Sequence, residues 1–512
     1  MDIGSLLTRH ARYRSGHTAV VFEGYRLSFA DFNGRVNRLA NALVALGVSK
    51  GDKVATILPN SLELLEVYWA TAKIGAVTVP LSPQLRGKAL ANLIQDSDAT
   101  SVITSGDFTE ILDAIKPDVG SVAAGSYILT QTAFAPGYLC YDALTAAASD
   151  AEPPAVEIVD DDPCNLIYSS GTTGQPKGIV LTHKIRALYG LMFASIFRMQ
   201  PESIVLHAGS IVFNGAFVTL MPAIYLGATY VLARRFDPEG FIEVVERERV
   251  THVMMVPSQI IALLRSPRFS PGALASLEMI GNVGAPLHRE HKEELNRRLP
   301  GRFYELYGLT EGFITVLDKN DYSVKPCSVG TPIPFSEMRI VNAKGEEAAV
   351  GEVGEIVGRG PMLMPGYYKR PDLTKEVIVG GWLYTGDLGC VDSDGFLLLV
   401  DRKKDMIISG GSNVFPKDIE DIIVQHPAVR EAAVFGVPDE KWGETPVAAV
   451  ILDESATVTA EGLRDWINER VDSKIQRVHA VVIMQDFPRS TAGKTLKRIL
   501  REPYWGGHEM KI

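Results

Sequence analysis

The sequence predicts an α/β fold with largely parallel sheets for most of the chain, followed by a smaller α+β unit. Helix and strand patterns alternate up to about residue 340, which favours repeated β-then-α units. Short strands separated by Gly and Asp follow, as in antiparallel turns. A charged run at 401–405 then precedes a last stretch of helices and strands. Because 512 residues exceed what one hydrophobic core usually holds, we expect two or more folding units.

The first elements carry clear helix and strand signals. Ser28 and Asp31 have the spacing of a capping box, and Gly47 is placed to end the helix that they begin. The apolar residues of this helix fall on one face, namely Val36, Leu39, Ala40, Leu43 and Val44. The run 54–58 then predicts a buried strand, and 62–74 predicts the next helix.

The stretch 208–233 contains no charged residue and is long enough to cross a bilayer. Polar and helix-breaking residues are spread through it, among them Asn214, Thr219, Pro222 and Gly227. Such groups are costly inside a membrane. We therefore predict a buried helix followed by a buried strand, and no transmembrane segment.

The short strands after residue 340 predict a small β-barrel-like part at the end of the large unit. They are expected at 338–341, 354–358 and 396–400. Since 401–405 is a charged break, we place the boundary there, with residues 1–400 in the large domain and 401–512 in the small one. In the small domain, Pro416 suits a first helical turn and Thr459 suits a helix cap. Its strands are expected at 432–437, 447–452 and 480–484.

Composition excludes several classes of function. The formal net charge is -10 and no basic stripe is present, so the sequence does not predict nucleic-acid binding. None of the four cysteines stands at metal-ligand or redox spacing: Cys140, Cys164, Cys327 and Cys390. So few cysteines in so long a chain indicate reduced thiols. The first residues lack the pattern of a signal peptide, and we expect a cytoplasmic protein.

The loop at 169–178 has the composition of a phosphate-binding loop. Three glycines, two serines, two threonines and one lysine lie within ten residues. Glycines allow backbone N–H groups to approach an anion closely, while hydroxyls and Lys177 add donors and positive charge. The loop is not a Walker A loop, because Lys177 is followed by Gly178 instead of Ser or Thr. Composition alone leaves open that it is an ordinary flexible surface loop.

Six motifs, which occur in a fixed order along the chain, give the sequence a resemblance to a known superfamily. They are 168–178, 284–287, 307–312, 381–387, 401–411 and 488–494. Together they closely resemble the signatures of the superfamily of acyl-CoA synthetases, nonribosomal-peptide adenylation domains and firefly-type luciferases. The resemblance runs from about Leu27 to Ile499. It implies an enzyme that activates a carboxylic acid with ATP and releases pyrophosphate.

The resemblance assigns the nucleotide contacts residue by residue. The β- and γ-phosphates would be held by Ser169, Ser170, Gly171, Thr172, Thr173, Gly174 and Lys177. Thr310 and Glu311 match positions at the α-phosphate, and Glu311 matches the Mg²⁺ ligand, a carboxylate as this ion prefers. The adenine would lie between Tyr307 and Gly308 on one side and Gly284, Ala285 and Pro286 on the other. Asp387 matches the acid that accepts both ribose hydroxyls, and Arg402 lies on the ribose or phosphate side.

The resemblance also implies a moving C-terminal domain. Lys494 matches the lysine that bridges the acyl carboxylate and the α-phosphate, which a flexible ammonium can do. Lys404 matches the hinge residue about which the small domain rotates before thioester formation. Rotation would bring the Gly410 and Gly411 loop to the active site, where two residues without side chains leave room for the pantetheine of coenzyme A. Lys441 and Trp442 are weaker candidates beside this passage.

The acyl pocket is the least specific part of the assignment. His207 matches the residue that gates the pocket in relatives, although a buried, hydrogen-bonded histidine is an equally good reading. The remaining pocket candidates are Gly209, Phe213, Asn214, Val283, Gly312 and Phe313. This set has no arginine to meet a second carboxylate and no acid to meet an amine. It therefore favours an apolar aliphatic or aromatic acid over an amino acid.

The predicted function is an ATP-dependent acid–CoA ligase that uses ATP, Mg²⁺ and coenzyme A. The alternative acceptor is a carrier protein or another acyl acceptor, since the phosphate motifs do not distinguish them. A catalytically silent nucleotide-binding protein is disfavoured, because Lys177, Glu311, Asp387 and Lys494 are all present. The expected partners are small molecules, and a homodimer is left open.

Overall fold

The computed structural model describes residues 1–131, 135–169, 176–410, 412–453, 456–489 and 495–506. The helices of these residues are α1 (Gly4–Tyr13), α2 (Phe29–Ala45), α3 (Leu62–Ile74), α4 (Gly87–Asp96), α5 (Thr109–Ile115), α6 (Tyr141–Ala147), α7 (His183–Ile196), α8 (Asn214–Leu226), α9 (Pro238–Glu248), α10 (Pro257–Arg265), α11 (Arg289–Arg298), α12 (Pro371–Val377), α13 (Pro416–Ile423), α14 (Ala460–Asn468) and α15 (Lys497–Arg501).

The strands of the first half are β1 (Thr18–Phe22), β2 (Tyr25–Ser28), β3 (Lys53–Ile57), β4 (Val77–Pro80), β5 (Ala99–Ser105), β6 (Tyr127–Thr130), β7 (Leu139–Cys140), β8 (Pro163–Ser169), β9 (Lys177–Thr182), β10 (Ile204–His207), β11 (Thr229–Leu232) and β12 (His252–Met255). Those of the second half are β13 (Met279–Asn282), β14 (Phe303–Gly308), β15 (Ile314–Leu317), β16 (Thr331–Pro332), β17 (Glu337–Val341), β18 (Gly354–Arg359), β19 (Ile378–Val379), β20 (Trp382–Val391), β21 (Leu397–Arg402), β22 (Ile407–Ser409), β23 (Ser412–Val414), β24 (Val429–Asp439), β25 (Gly443–Leu452) and β26 (Ala480–Met484).

Two large sheets form the body of the protein, and both are parallel in their interior. One has seven strands in the order β7-β6-β5-β3-β4-β8-β9, and only β8 and β9 pair antiparallel. The other has nine strands in the order β16-β15-β14-β13-β12-β10-β11-β1-β2, with antiparallel strands at both ends. The α/β prediction for this part of the chain is confirmed.

Two smaller sheets complete the fold. The part predicted to be barrel-like is a five-stranded antiparallel sheet in the order β17-β18-β20-β19, with β21 paired to β20. The C-terminal sheet has the order β23-β22-β25-β24, and β26 joins β25 in parallel. Helices α13 and α14 pack on this sheet, which gives the predicted α+β unit.

The local signals read from the sequence have their expected structural counterparts. The Ser28 hydroxyl accepts the Asp31 N–H at 3.1 Å, and the Asp31 carboxylate accepts the Ser28 N–H at 3.2 Å, so the capping box is present. Thr459 caps α14 by accepting the Gly462 N–H. The uncharged stretch 208–233 forms buried helix α8 and buried strand β11. Within the described residues, no helix combines the length and the apolar character needed to cross a membrane.

One strand ends two residues later than predicted. Strand β21 continues through Asp401 to Arg402, so the first two residues of the expected linker belong to the sheet. The chain turns only after them, where the N–H groups of Asp405 and Met406 both donate to the Arg402 carbonyl. The apolar run 396–400 ends at Val400, but the backbone pairing with β20 continues to Arg402 because it does not depend on side-chain polarity.

Candidate active site

The two ends of the phosphate-type loop lie side by side. Ser169 ends β8 and Lys177 begins β9, and the two residues are direct partners in this antiparallel pair. Both side chains are half-buried. The candidates Ser170, Gly171, Thr172, Thr173 and Gly174 lie outside the described residues. The pairing therefore fixes where the loop starts and ends, with Lys177 at its exit.

Lys177 and Glu311 approach opposite parts of one tyrosine. The Lys177 ammonium lies 5.0 Å from the centre of the Tyr367 ring, within range of a cation–π interaction. The Tyr367 hydroxyl donates to the Glu311 Oε1 atom at 2.8 Å. Burial and the adjacent Glu311 charge raise the pKa of Tyr367, so the phenol stays neutral and remains a donor. Two residues 134 positions apart in the sequence are thus joined through a third.

Tyr367 itself is held by the strand that carries Lys177. The Tyr368 N–H donates to the Gly178 carbonyl at 2.7 Å, and the Val180 N–H donates to the Gly366 carbonyl at 3.3 Å. Sequence reasoning missed Tyr367, because two adjacent tyrosines after a glycine have no spacing that indicates a contact. Only the pairing of this segment with β9 brings it to the site.

Asp387 sits between a phenol and a guanidinium. Tyr307 donates its hydroxyl to Asp387 Oδ2 at 2.9 Å, and Arg402 Nε lies 3.4 Å from Asp387 Oδ1. Strand pairing explains the second contact, since Asp387 on β20 is directly opposite Arg402 on β21. Burial, followed by the Asp387 charge, raises the pKa of Tyr307 and keeps it a donor. Each carboxylate oxygen retains a lone pair for a further donor.

The candidates for the adenine side lie on two neighbouring strands. Tyr307 and Gly308 end β14, and Gly284, Ala285 and Pro286 form an exposed loop after β13. Asn282, which is fully buried at the end of β13, donates to the Ala285 carbonyl at 2.9 Å and so shapes this loop. The parallel pairing of β13 with β14 places both sets at the same edge of the sheet.

His207 is buried at the end of β10, next to the candidate Gly209. Burial lowers the pKa of His207 to about 4, and a backbone contact with Ser210 opposes the shift only in part. The imidazole is therefore neutral at physiological pH. A Cβ atom on Gly209 would lie 3.2 Å from His207 Nε2, so the glycine leaves space over the ring. Among the described residues, neither ring nitrogen makes a hydrogen bond of ordinary geometry, so burial alone does not distinguish a core histidine from a gating one.

Asn214 begins α8, with Phe213 just before it, and both are half-buried. A Cβ atom on Gly215 would lie 3.7 Å from Val283, which shows that the start of α8 faces the loop after β13. The Asn214 side chain binds two residues of α7 that sequence reasoning missed. Its Oδ1 atom accepts from Arg186 at 2.8 Å, and its Nδ2 atom donates to the Tyr189 hydroxyl at 3.1 Å.

Phe313 and Gly312 are both buried, and their place in the acyl pocket stays a prediction. Phe313 is 1% exposed and packs in the core of the five-stranded sheet, with Ile340, Ile356 and Leu383 among its neighbours. Gly312 has φ +113°, and a Cβ atom there would lie 2.0 Å from the Met362 carbonyl oxygen. An apolar residue beside a binding motif looks the same in sequence whether it faces a ligand or a core.

Some of the C-terminal candidates lie within the described residues and some do not. Gly410 and Trp442 are in contact: the Gly410 N–H donates to the Trp442 carbonyl at 2.7 Å, and a Cβ atom on Gly410 would lie 2.7 Å from the indole ring. The Trp442 side chain is exposed and covered on one side by Lys441, so it is not a core residue. Lys404 is exposed in the turn after β21. Gly411 and Lys494 lie outside the described residues.

Glu311 and Thr310 are suited to a metal bound mainly by phosphate. Both are half-buried, and Tyr367 occupies one Glu311 oxygen, which leaves the other for a cation. In the described part of the chain, no cluster of three or more His, Cys, Asp or Glu could hold a metal unaided. Mg²⁺ commonly takes one or two carboxylates and completes its coordination with water and substrate phosphates. The residues present therefore fit a Mg²⁺–nucleotide complex.

Comparisons with known proteins agree with this geometry. The model of the AMP-binding enzyme family matches residues 7–368, and that of the AMP-binding enzyme C-terminal domain matches 418–494. A feruloyl-CoA synthase from Amycolatopsis is 35% identical, covering 98% of this chain and 99% of that protein. An indoleacetate–CoA ligase from Aromatoleum aromaticum is 32% identical over 98% of both chains.

A solved structure is also similar to this chain over nearly its whole length. The crystal structure of ATP-bound MatB from Rhodopseudomonas palustris is 30% identical, with a TM-score of 0.89 over 98% of this chain and 99% of that chain. The predicted resemblance is confirmed over nearly the whole length: the chain belongs to the AMP-binding enzyme family.

Proposed function

We propose that this protein is an ATP-dependent acid–CoA ligase that works in two half-reactions through an acyl adenylate. The observation that carries the proposal is the meeting of Lys177 and Glu311 at Tyr367. It joins the exit of the phosphate loop to a carboxylate suited to Mg²⁺. The relatives support the choice of acceptor, because their names are those of a feruloyl-CoA synthase and an indoleacetate–CoA ligase.

In the first half-reaction, a carboxylate oxygen of the acid attacks the α-phosphorus of ATP. The bond from that phosphorus to the bridging oxygen breaks, and pyrophosphate leaves with the electron pair. Lys177 and the hydroxyls of its loop would hold the β- and γ-phosphates, with Thr310 at the α-phosphate. Bound Mg²⁺ would supply positive charge for the phosphate oxygens, and Glu311 would hold it. Lys494 would bridge the two reacting anions.

The adenosine would be fixed by the pair Tyr307 and Asp387. The Asp387 carboxylate has lone pairs left for the ribose hydroxyls after its contacts with Tyr307 and Arg402. The loop at Gly284, Ala285 and Pro286 would cover the base from the neighbouring strand.

In the second half-reaction, the thiolate sulfur of coenzyme A attacks the acyl carbonyl carbon, and AMP leaves with the former carboxylate oxygen. We propose that the boundary lies at 401–405 and that Lys404 is the hinge between domains 1–400 and 401–512. Separate apolar cores on either side of this segment support that division. Gly410, Gly411, Lys441 and Trp442 would then border the pantetheine passage.

We expect an apolar aliphatic or aromatic acid, since His207 is neutral and Gly209, Phe213 and Val283 carry no charge. A carrier protein is the second candidate acceptor; one relative, 29% identical, is named a fatty acid–[acyl-carrier-protein] ligase. A cytoplasmic location and a homodimer stay predictions.

Acid-dependent exchange of labelled pyrophosphate into ATP tests the first half-reaction across a panel of aliphatic and aromatic acids. Coenzyme A is then added and the thioester is measured. We expect both signals with the same acids. Glu311→Gln should lose the exchange, and Glu337→Gln, whose carboxylate binds Arg359 on the surface, is the matched control. Adenylate without thioester would favour the carrier-protein acceptor, and no exchange with any acid would refute the proposal.

A further inference from the structure

Arg186 is an unusual residue in the first turn of α7, because it is 0% exposed and, among the described residues, forms no ion pair with a carboxylate. Its Nε atom donates to Asn165 Oδ1 at 2.7 Å, and its Nη1 atom donates to Asn214 Oδ1 at 2.8 Å. The guanidinium lies 3.7 Å from the centre of the Phe217 ring. Within the same described residues, its Nη2 atom has no hydrogen-bond partner. The charge is thus balanced by two amide oxygens and a ring.

Burying a charge without an ion pair is expensive, so the amide contacts must be strong. Burial lowers the pKa of Arg186 to about 10, which still leaves the guanidinium protonated at neutral pH. A charged donor pulls electron density from the amide oxygen that accepts its hydrogen bond and makes the amide N–H groups better donors. The Asn214 side chain is therefore polarised by Arg186.

The direction of the Asn214 amide follows from the same contact. Arg has donors and no acceptor, so the Asn214 atom that faces Arg186 must be the oxygen. The nitrogen then points away, and one of its two N–H bonds reaches the Tyr189 hydroxyl at 3.1 Å. The other N–H has no partner among the residues that the structure describes. Unlike Arg186 and Tyr189, which are fully buried, Asn214 is half-buried and reachable from outside.

This amide lies near the groups that would hold the reacting atoms. Burial is the main cause that raises the pKa of Tyr189, and the Glu311 charge is close enough to add to it. The residue after Asn214 faces Val283, just before the candidate adenine loop. Asn214 therefore lies on the side of the site that holds Glu311 and the start of the candidate adenine loop.

We propose that Asn214 donates a hydrogen bond to an oxygen of the acid substrate, and that Arg186 is the positioning residue that orients and polarises this amide. The inference rests on the proposed acid-activating function and names a contact that selects its substrate. The oxygen is either the reacting carboxylate or a hydroxyl or ether substituent on the acyl group. Both are acceptors of the same kind, and only experiment distinguishes them.

The test compares Michaelis constants in the acid-dependent pyrophosphate exchange. Pairs of acids that differ by one oxygen are used, such as cinnamic and 4-hydroxycinnamic acid, or octanoic and 8-hydroxyoctanoic acid. Asn214→Leu keeps the size of the side chain and removes the donor. We expect the KM for the acid to rise by roughly five- to tenfold while the KM for ATP is unchanged. An equal rise for both members identifies the carboxylate as the acceptor, and a rise for the oxygenated member alone identifies the substituent.

Arg186→Met tests the positioning role. It should raise the KM for the acid as Asn214→Leu does, and the double variant should add little to either, since the two residues act as one unit. Arg186→Lys, which keeps a charged donor, should recover part of the affinity. Arg247→Met, a surface helix arginine paired with Glu248, is the matched control.

Two results would overturn the inference in different ways. An active enzyme in which Asn214→Leu leaves the KM of every accepted acid unchanged refutes the contact and leaves the proposed function intact. A wild-type enzyme without acid-dependent exchange refutes the proposed function and the contact together. If Arg186→Met does not fold, two milder variants decide the question. They are Asn214→Leu, at a half-buried position, and Arg186→Lys, which keeps the charge.

Discussion

The parts of the chain before and after residue 401 each have an apolar interior, but the contacts between the two parts are of a different kind. Each has its own apolar clusters, and no described cluster contains buried residues from both sides. The described side-chain contacts between them are polar. Arg265 binds Asp453 at 3.1 Å, His288 binds Asp421 at 2.8 Å, and Lys417 donates to the Leu399 carbonyl at 2.9 Å. The two parts are held to each other by a few solvated groups.

This difference has a mechanical consequence. Breaking an apolar core exposes large areas to water, whereas a surface ion pair typically contributes only about 0.2–1 kcal/mol. We therefore propose that the C-terminal part exchanges its contacts with the large part at little cost in free energy. The carboxylates follow the same division. Phenol hydroxyls donate to Glu311 and Asp387 and hold these carboxylates in place, while Asp401 at the junction is half-buried and accepts the Lys417 N–H.

The strongest test of this comparison is Lys494→Ala. This change removes a group that the C-terminal part would bring to the site in the large part. We expect pyrophosphate exchange to fall by roughly 10²–10³, the scale for losing one donor that stabilises developing charge. Thioester formation from a supplied acyl adenylate should be nearly unaffected. Equal losses in both half-reactions would show that Lys494 does not belong to the first step alone.

Lys404→Pro should produce the opposite pattern. Proline fixes φ and so limits rotation about the turn after β21. We expect thioester formation to slow by roughly 10²-fold, the scale for reactants misplaced by about an ångström. Exchange should be largely retained, and Lys403→Ala, which loses only a surface contact with Glu355, is the control. Unchanged thioester formation would move the hinge elsewhere.

Tyr367→Phe tests how the fixed site holds its carboxylate. Loss of the hydrogen bond to Glu311 should weaken metal binding by about 1 kcal/mol, or about fivefold. Binding of Mn²⁺ in the presence of a non-hydrolysable ATP analogue, followed by electron paramagnetic resonance, measures this without catalysis. Tyr368→Phe removes the neighbouring hydroxyl, which binds Asp98, and should leave Mn²⁺ affinity unchanged. Equal Mn²⁺ affinity in Tyr367→Phe and wild type would contradict the role of Tyr367.

Asp401→Asn should give the smallest effect, on stability. Burial is the main cause that raises the pKa of Asp401 to about 6, from about 3.9 in an unfolded chain. The folded state then binds the proton more tightly, so the free energy of unfolding falls as pH rises from about 4 to about 6. Asparagine does not ionise, and the stability of the variant relative to wild type should rise over that window and level off above it. Thermal melts at stepped pH measure the difference; a flat difference would place Asp401 in water.

Short-range order was predictable because its causes are local. Ser28 with Asp31, and Thr459 with Gly462, are helix caps formed within four residues, and their spacing is visible in the sequence. The Ala480–Met484 strand was found at its predicted bounds for the same reason. The order of six motifs was likewise sufficient to predict the family.

Contacts between residues on different strands or helices were not predictable from these local signals. The pairing of Asp387 with Arg402 depends on the register of β20 and β21, which no local pattern reports. The packing of Phe313 in the core of the five-stranded sheet was not visible either, because an apolar residue has the same character in a core and in a pocket.

The sequence by itself determined the α/β and α+β fold, the family, and the residue types that the chemistry needs, since each leaves a mark at fixed spacing along the chain. Only the tertiary structure decided which partners hold those residues. Tyr367 reaches Glu311 because its segment pairs with β9, and Arg186 polarises Asn214 because α7 packs against α8. Such contacts join residues dozens of positions apart, and their geometry arises only when separate elements pack together.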